Sequence, residues 1–243
     1  MFSYLYHAIF YDPIYNGLVF LIDTIPGADV GIAVILLTIV VRLVLFPLSL
    51  RAIRTQLLMR DLEPELTRIK TEFKDSREEQ ARRTMELYRT NKVNPFSSFL
   101  FMFIQILFIF ALYFVFFRGG LPNIRTELLY SFIPIPENVN MHFLGFIDVA
   151  GRSLVLAALA GITQFIQTKL SIPPLPQNNS TPSFKNDLAR SFNLQMRYAM
   201  PVVIFFVAYT ISAAVALYFV VSNLVSIGQE IYVRRTLKRP KKS

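Results

Sequence analysis

Arg42 lies within an otherwise uncharged apolar run, Gly31 to Leu50 (GIAVILLTIVVRLVLFPLSL). A bilayer is crossed by about 20 such residues. A lone guanidinium there costs roughly 2.5–3.5 kcal/mol on insertion scales, and no acidic residue of the same run can neutralise it. Two arrangements relieve that cost. Arg42 either snorkels to the nearer interface or faces a wet cavity built by the rest of the chain. In the second arrangement it becomes a binding group for something negatively charged. Other polar residues within the apolar runs include Thr38, Gln105, Thr163, Gln164, Gln167, Tyr218, Ser222 and Asn223. Each alone can serve as an interhelical hydrogen-bonding group. Taken with an arginine that has no acid beside it in sequence, they suggest a hydrated groove.

Catalytic combinations are missing from the sequence. The two histidines, His7 and His142, are far apart, and no HExxH, GxSxG, paired intramembrane Asp or phosphate-binding Gly loop occurs. Asp148 is the one carboxylate near the third apolar run, and Arg152, one helical turn on, is its expected partner. Cysteine is absent, which excludes disulfides, thiolate metal sites and Cys nucleophiles. The expectation is a protein that is not an enzyme and uses no metal or cofactor. No two-fold internal repeat of the kind many transporters carry is evident.

The elements that must position these groups follow from composition and charge. With 53% hydrophobic residues, 23 Phe and a mean hydropathy of +0.45, the 243-residue chain reads as one polytopic, all-α membrane domain. Its net charge of +9 is distributed unevenly. Residues 1–41 hold no Lys or Arg, 51–95 hold eleven, and the tail 234–243 holds six. Short basic segments stay in the cytoplasm. The hairpin and the C-terminus are therefore expected inside, the N-terminus outside, in a bacterial cytoplasmic membrane. Five transmembrane helices result: 31–50, 96–117, 151–170, 198–211 and 214–233. The last two come from an uncharged stretch, Tyr198 to Gln229, that is flanked by Arg197 and Arg234 and is too long for one span. An outer turn near Thr210 to Ala214 would divide it.

The remaining segments are connecting ones. In residues 1–30, Asp12-Pro13 reads as an N-cap with proline at the first helical position. Ile14, Leu18, Leu21, Ile22 and Ile25 share one helical face, with Asn16 and Asp23 elsewhere. This predicts an amphipathic helix on the outer surface. In 51–95, Leu58, Leu62, Leu66, Ile69 and Phe73 form one helical stripe, and Ala81, Met85 and Tyr88 a second. Ser76 and Glu79 form a capping box between them, and Pro64 should break the first arm. A cytoplasmic helical hairpin follows, either a solvated spacer or a mobile platform for a partner. Residues 118–150 form an extracytoplasmic loop, and 171–197, with four prolines in SIPPLPQNNSTPSFKND, a flexible cytoplasmic one. The basic tail suits anionic lipid.

The run VILLTIVVRLVLFPLSLRAIRTQLLMRDLEPEL resembles the first core span and following hairpin of the YidC/Oxa/Alb membrane protein insertases. The likeness continues, in order, at YRTNKVNPF (88–96), FIQILFIFALYFVF (103–116), GITQFIQTKL (161–170) and ALYFVVSNLVSIGQ (216–229). It covers nearly the whole chain. The resemblance implies a five-helix core with a hydrophilic groove, open to cytoplasm and lipid and closed to the outside. It places Arg42 in that groove, with Gln105, Gln164, Tyr218 and Asn223 as the next lining candidates. The implied partners are nascent membrane proteins and membrane lipids, with the Sec translocon and the ribosome as further candidates and no DNA. Departures exist. Ser212-Ala213-Ala214 stands where the family often has a Pro-x-Gly turn, and Phe219 where a Trp is common. The large extracytoplasmic domain, extra N-terminal span and long basic tail of some members are absent from this sequence. A small transporter or anion channel using Arg42 as its selectivity charge is the alternative. An assembly factor indifferent to Arg42 is a third.

Overall fold

The computed structural model describes residues 2–94, 96–117, 121–171, 191 and 194–237. Most of the expected flexible loop (172–190, 192 and 193) and the last part of the basic tail lie outside those residues, and the end of that expected loop is a π-type helical turn, Gln195–Ala199. The helices are α1 (Phe2–Tyr6), α2 (Asp12–Thr24), α3 (Val30–Val44), α4 (Phe46–Asp61), α5 (Glu63–Glu72), α6 (Arg77–Thr90), α7 (Phe96–Phe117), α8 (Leu154–Ser171), α9 (Met200–Ile211) and α10 (Ala213–Leu237). One small hairpin, β1 (His142–Phe143) paired antiparallel with β2 (Ile147–Asp148), qualifies the all-α expectation. Among the described residues, two helical stretches, Leu154–Ser171 and Ala213–Thr236, are each long and apolar enough to cross a membrane, and α3 with α4 would add a third if counted as one broken span.

The chain divides into two compact units. The first comprises Met1–Leu43 and Leu107–Ile231, the second Val44–Ile106 and Tyr232–Ser243. The core of the first unit is built around the start of α10, where every residue from Ser212 to Phe219 is buried. Ala213, Ala214 and Ala216 there are small enough for neighbouring backbones to approach closely. On α8, Gly161 serves the same end. A Cβ at that position would sit 3.2 Å from the Phe205 Cβ and 3.4 Å from the Pro201 carbonyl of α9.

Asp12 is not a helix cap. The backbone is already helical at Tyr11, because α1 continues through a π-type turn (His7–Tyr11) into α2. Nor does Asn16 lie off the packed face. Its amide nitrogen donates to the carbonyls of Asp12 (2.8 Å) and Leu128 (2.9 Å), and its amide oxygen accepts from the Tyr130 N–H (2.7 Å). Beside it, the fully buried Tyr15 hydroxyl accepts from the Arg125 N–H at 2.8 Å. The buried face of α2 is therefore wider than its aliphatic stripe, since polar side chains are buried without penalty once their hydrogen bonds are made.

The expected span 31–50 is not one helix. α3 ends at Val44 and α4 begins at Phe46, with Leu45 between them at φ −81°, ψ 0°. Pro47 explains the break: its ring displaces the preceding turn and its nitrogen has no proton to give. Proline at the start of α4 is well placed, because first-turn N–H groups have no intrahelical partner. The third expected span also starts later than 151. Ser153 caps α8, its hydroxyl accepting from the Leu156 N–H at 3.3 Å. Asp148 and Arg152, both ahead of that cap, are not a helical pair. Asp148 accepts from the Ala150 N–H (3.0 Å), and the Arg152 guanidinium lies 6.0 Å from the centroid of the Tyr209 ring. The turn between α9 and α10 is a single extended residue, Ser212. α7 has the 96–117 bounds expected from its uncharged run.

In the second unit, the first arm breaks at Leu62, one residue ahead of Glu63-Pro64. α6 begins after Ser76, whose hydroxyl accepts from the Glu79 N–H at 3.4 Å. α5 packs on α6, but not through Ala81 and Met85, which are exposed. The half-buried residues of α6 are Glu79, Gln80, Thr84, Leu87 and Tyr88. The Gln80 amide donates to the Lys70 carbonyl (3.3 Å), and the Arg83 guanidinium sits 5.8 Å from the Phe73 ring centroid. A stripe counted on apolar residues alone misses a face made by a polar amide, a threonine and the stem of an arginine.

Candidate functional site

α10 presents two polar faces, each set by helical spacing. Tyr218 and Ser222 are four residues apart and share one face. Opposite them stands Arg42, from the last turn of α3. Its guanidinium Nη2 donates to the Ser222 Oγ, and the Tyr218 hydroxyl is a further hydrogen-bonding neighbour. Arg42 is only 6% exposed and Tyr218 2%. The Tyr218 ring is held by Phe108 (centroids 5.1 Å) and Phe219 (5.4 Å). Of the two arrangements open to Arg42, the guanidinium thus turns into the protein and does not reach out along lipid. Hydroxyl partners satisfy N–H groups without cancelling the charge, so the positive field at this position is retained.

The second polar face carries Asn223 and Glu230, seven residues apart and hence nearly in line along a helix. Both meet α8. The Asn223 amide donates to the Thr163 Oγ1 at 3.3 Å. Ser171, eight residues further along α8, donates its hydroxyl to the Glu230 carboxylate. Between these two rungs, α8 carries its own chain of amides. Gln164 Nε2 donates to Thr168 Oγ1 (3.1 Å) and lies 3.3 Å from Gln167 Oε1, while Gln167 Nε2 donates to Ser171 Oγ (3.0 Å). The two helices are thereby joined by polar contacts over two turns, each worth about 0.6 kcal/mol on average inside a membrane protein.

Of the five residues expected from the sequence, Arg42 and Tyr218 are therefore brought together, through α10. Asn223 neighbours Ser222 in sequence but turns to α8. Gln164 lies on α8 among the amides, its side chain directed along the helix. Gln105 belongs to the second unit, half-buried on α7. Two participants went unrecognised: Ser171, at the last residue of α8, and Glu230, 4% exposed. Glu230 stands one residue past the uncharged run and reads as a flanking charge. The available signal was its seven-residue spacing from Asn223. Among the described residues, no group of three or more His, Cys, Asp or Glu side chains could hold a metal ion.

The model of the family described as 60Kd inner membrane protein matches residues 21–241. Among similar proteins, the membrane protein insertase YidC of Syntrophobacter fumaroxidans is 34% identical over 206 residues, 84% of this chain and 34% of that protein. That of Methylobacillus flagellatus is 32% identical over 209 residues, covering 86% of this chain and 33% of its own. That of Clostridium tetani is 28% identical over 214 residues, covering 88% of this chain and 86% of its own. The chain thus spans about a third of the length of the first two and most of the third. With a match over nearly its whole length, the chain belongs to the 60Kd inner membrane protein family, the YidC/Oxa family that its sequence resembles.

Proposed function

We propose that this protein is a membrane protein insertase that guides hydrophilic tails and hydrophobic spans of newly made proteins into the bilayer. Membership of the family is the observation that carries the reading, and the relatives named above are membrane protein insertases. In this reading the chain crosses the cytoplasmic membrane five times, N-terminus outside, with the α5–α6 pair and the C-terminus in the cytoplasm. Arg42, Gln164, Tyr218 and Asn223 line a hydrated groove.

The physical task is to lower the desolvation cost of a polar segment crossing lipid. Arg42 supplies a fixed positive charge within an apolar surround, where Coulomb attraction is stronger than in water. It holds an acidic or polar client tail part-way across. Burial of the client's apolar span in lipid then drives completion, about 0.8 kcal/mol per CH₂, with no nucleotide. The Sec translocon and the ribosome are partners this reading accommodates.

Purified protein in vesicles tests it. A newly made single-span client should integrate, its N-terminal tail becoming protected, without any solute gradient. Solute or anion flux with no client integration would instead identify a transporter or channel. Orientation is checked with single cysteines, which the native chain lacks. An impermeant maleimide should label Asn138→Cys and not Ser76→Cys in intact cells.

A further inference from the structure

The segment 142–151 stands where the ends of three membrane-length or apolar helices meet. Asp29 caps α3, one carboxylate oxygen accepting from the Ile32 N–H at 3.0 Å, and its other oxygen accepts from the Leu144 N–H at 2.8 Å. The carbonyls of Val149 and Gly151 accept from Ala214 (2.9 Å) and Ala213 (2.8 Å), the first residues of α10. α8 begins three residues after Gly151, at Leu154. Gly31, in the first turn of α3, lies under the Phe143 ring so closely that a Cβ would come within 2.5 Å of it. The β1–β2 hairpin is therefore pinned at the level where all three helices begin.

At its tip, Leu144 (58% exposed) and Phe146 (73% exposed) flank Gly145. Leu144 has φ +53°, a region a leucine rarely occupies. Gly or Asn would serve the turn with less strain, so the turn alone does not account for a large apolar side chain there. The backbone at the tip is provided for: Gly145 donates to the His142 carbonyl (3.1 Å) and Phe146 to that of Phe143 (3.3 Å). Directly beyond the segment, α8 exposes Val155, Leu159, Ile162 and Ile166. Their steps of four, three and four make one stripe along a membrane-length helix. Between the exposed apolar tip and that stripe stand the exposed Asp148 and Arg152, charged side chains that suit the headgroup level at which a membrane-length helix begins.

We propose that the β1–β2 turn is an interfacial lipid anchor. Leu144 and Phe146 enter the headgroup–acyl boundary of the outer leaflet and fix the depth of α3, α8 and α10 in the bilayer. The anchor rests on the reading above, in which these helices span the membrane with their starts outside.

Tryptophan is absent from the native chain, so a single introduced one reports alone. Leu144→Trp and Phe146→Trp are compared with Asn138→Trp, on the same loop, and Leu159→Trp, on the α8 stripe. The full chain is placed in phosphatidylcholine vesicles containing lipids brominated either near the headgroup or deep in the acyl chain. Leu144→Trp and Phe146→Trp should be quenched at least twofold more by shallow bromines than by deep ones, and Asn138→Trp by neither. Leu159→Trp should respond to the deep bromines. If Leu144→Trp and Phe146→Trp are as open to aqueous iodide as Asn138→Trp and insensitive to bromines, the anchor is overturned, and the tip is a surface for a protein partner. If Leu159→Trp also escapes every bromine, the spanning reading of α8 has failed and the anchor with it.

Discussion

Charge is handled in opposite ways in two regions of this molecule. Around α10, three polar contacts join residues far apart in sequence: Arg42 with Ser222, Asn223 with Thr163, Ser171 with Glu230. On the α5–α6 pair, ion pairs are local and exposed. Arg82 and Arg83 both reach Glu79, at 2.7 and 3.0 Å, and Arg68 lies 3.8 Å from Glu72. Exposed pairs of this kind contribute little, because water screens the charges and two long side chains must be ordered to meet. A guanidinium in a buried site acts on its surroundings several times more strongly. Density of charge is therefore a poor guide to where charge acts. The region richest in charge contributes little per residue, and the region with a buried arginine concentrates the effect.

The largest expected effect is at Arg42. A client carboxylate roughly 8 Å away, at an effective dielectric of about 20, gains about 2 kcal/mol from that charge. Removing it in Arg42→Leu should slow insertion of an acidic-tailed client about thirtyfold, and Arg42→Glu should slow it more. Arg42→Lys should keep most of the activity. Equal insertion of acidic, neutral and basic tails across all four proteins would erase the contrast between the two regions.

Next comes deletion of residues 60–86. Because the α5–α6 charges are solvated and locally paired, the remaining helices should stay folded and protease-resistant while insertion falls several-fold. Collapse of the core would show that the charged pair is structural.

Smaller still are the rungs between α8 and α10. Asn223→Leu or Ser171→Ala should each lower stability by about 0.6 to 1.7 kcal/mol, measured by unfolding in mixed micelles. A double substitution should cost close to the sum, because the rungs are separated by two helical turns.

The smallest effect belongs to Glu79, whose carboxyl is held below the usual carboxylate range by its hydrogen bonds to Arg82, then by their charges and those of Arg83. A depressed carboxylate contributes stability above its ordinary value, near 4.3, and loses that contribution as pH falls through its lowered value. Amide protection at the start of α6, with the intrinsic pH dependence of exchange divided out, should therefore fall on acidification below about pH 4 in the native chain. In Glu79→Gln this acid step should be absent, with exchange faster at neutral pH.

At several places a short-range rule acting alone determined the outcome, although the Asp12-Pro13 cap signal did not, because the helix runs on through it. The uncharged run 96–117 is α7, Ser76 starts α6, and Pro64 separates α5 from α4. Ser212 falls inside the turn range expected from the length of the following and preceding apolar stretch. Pro47 carried an equally local signal, but an apolar run reads as continuous when hydropathy is weighed before backbone chemistry, so the break at Leu45 was hidden. Only the tertiary structure decided which polar groups meet. Asn16 is buried because Leu128 and Tyr130 return to it from more than 110 residues away. Arg42 turns inward because Ser222, 180 residues later, offers a hydroxyl at the right height. Helical periodicity states which residues of one helix share a face. Which helix that face meets depends on loop closure and packing, and those are not written in local spacing.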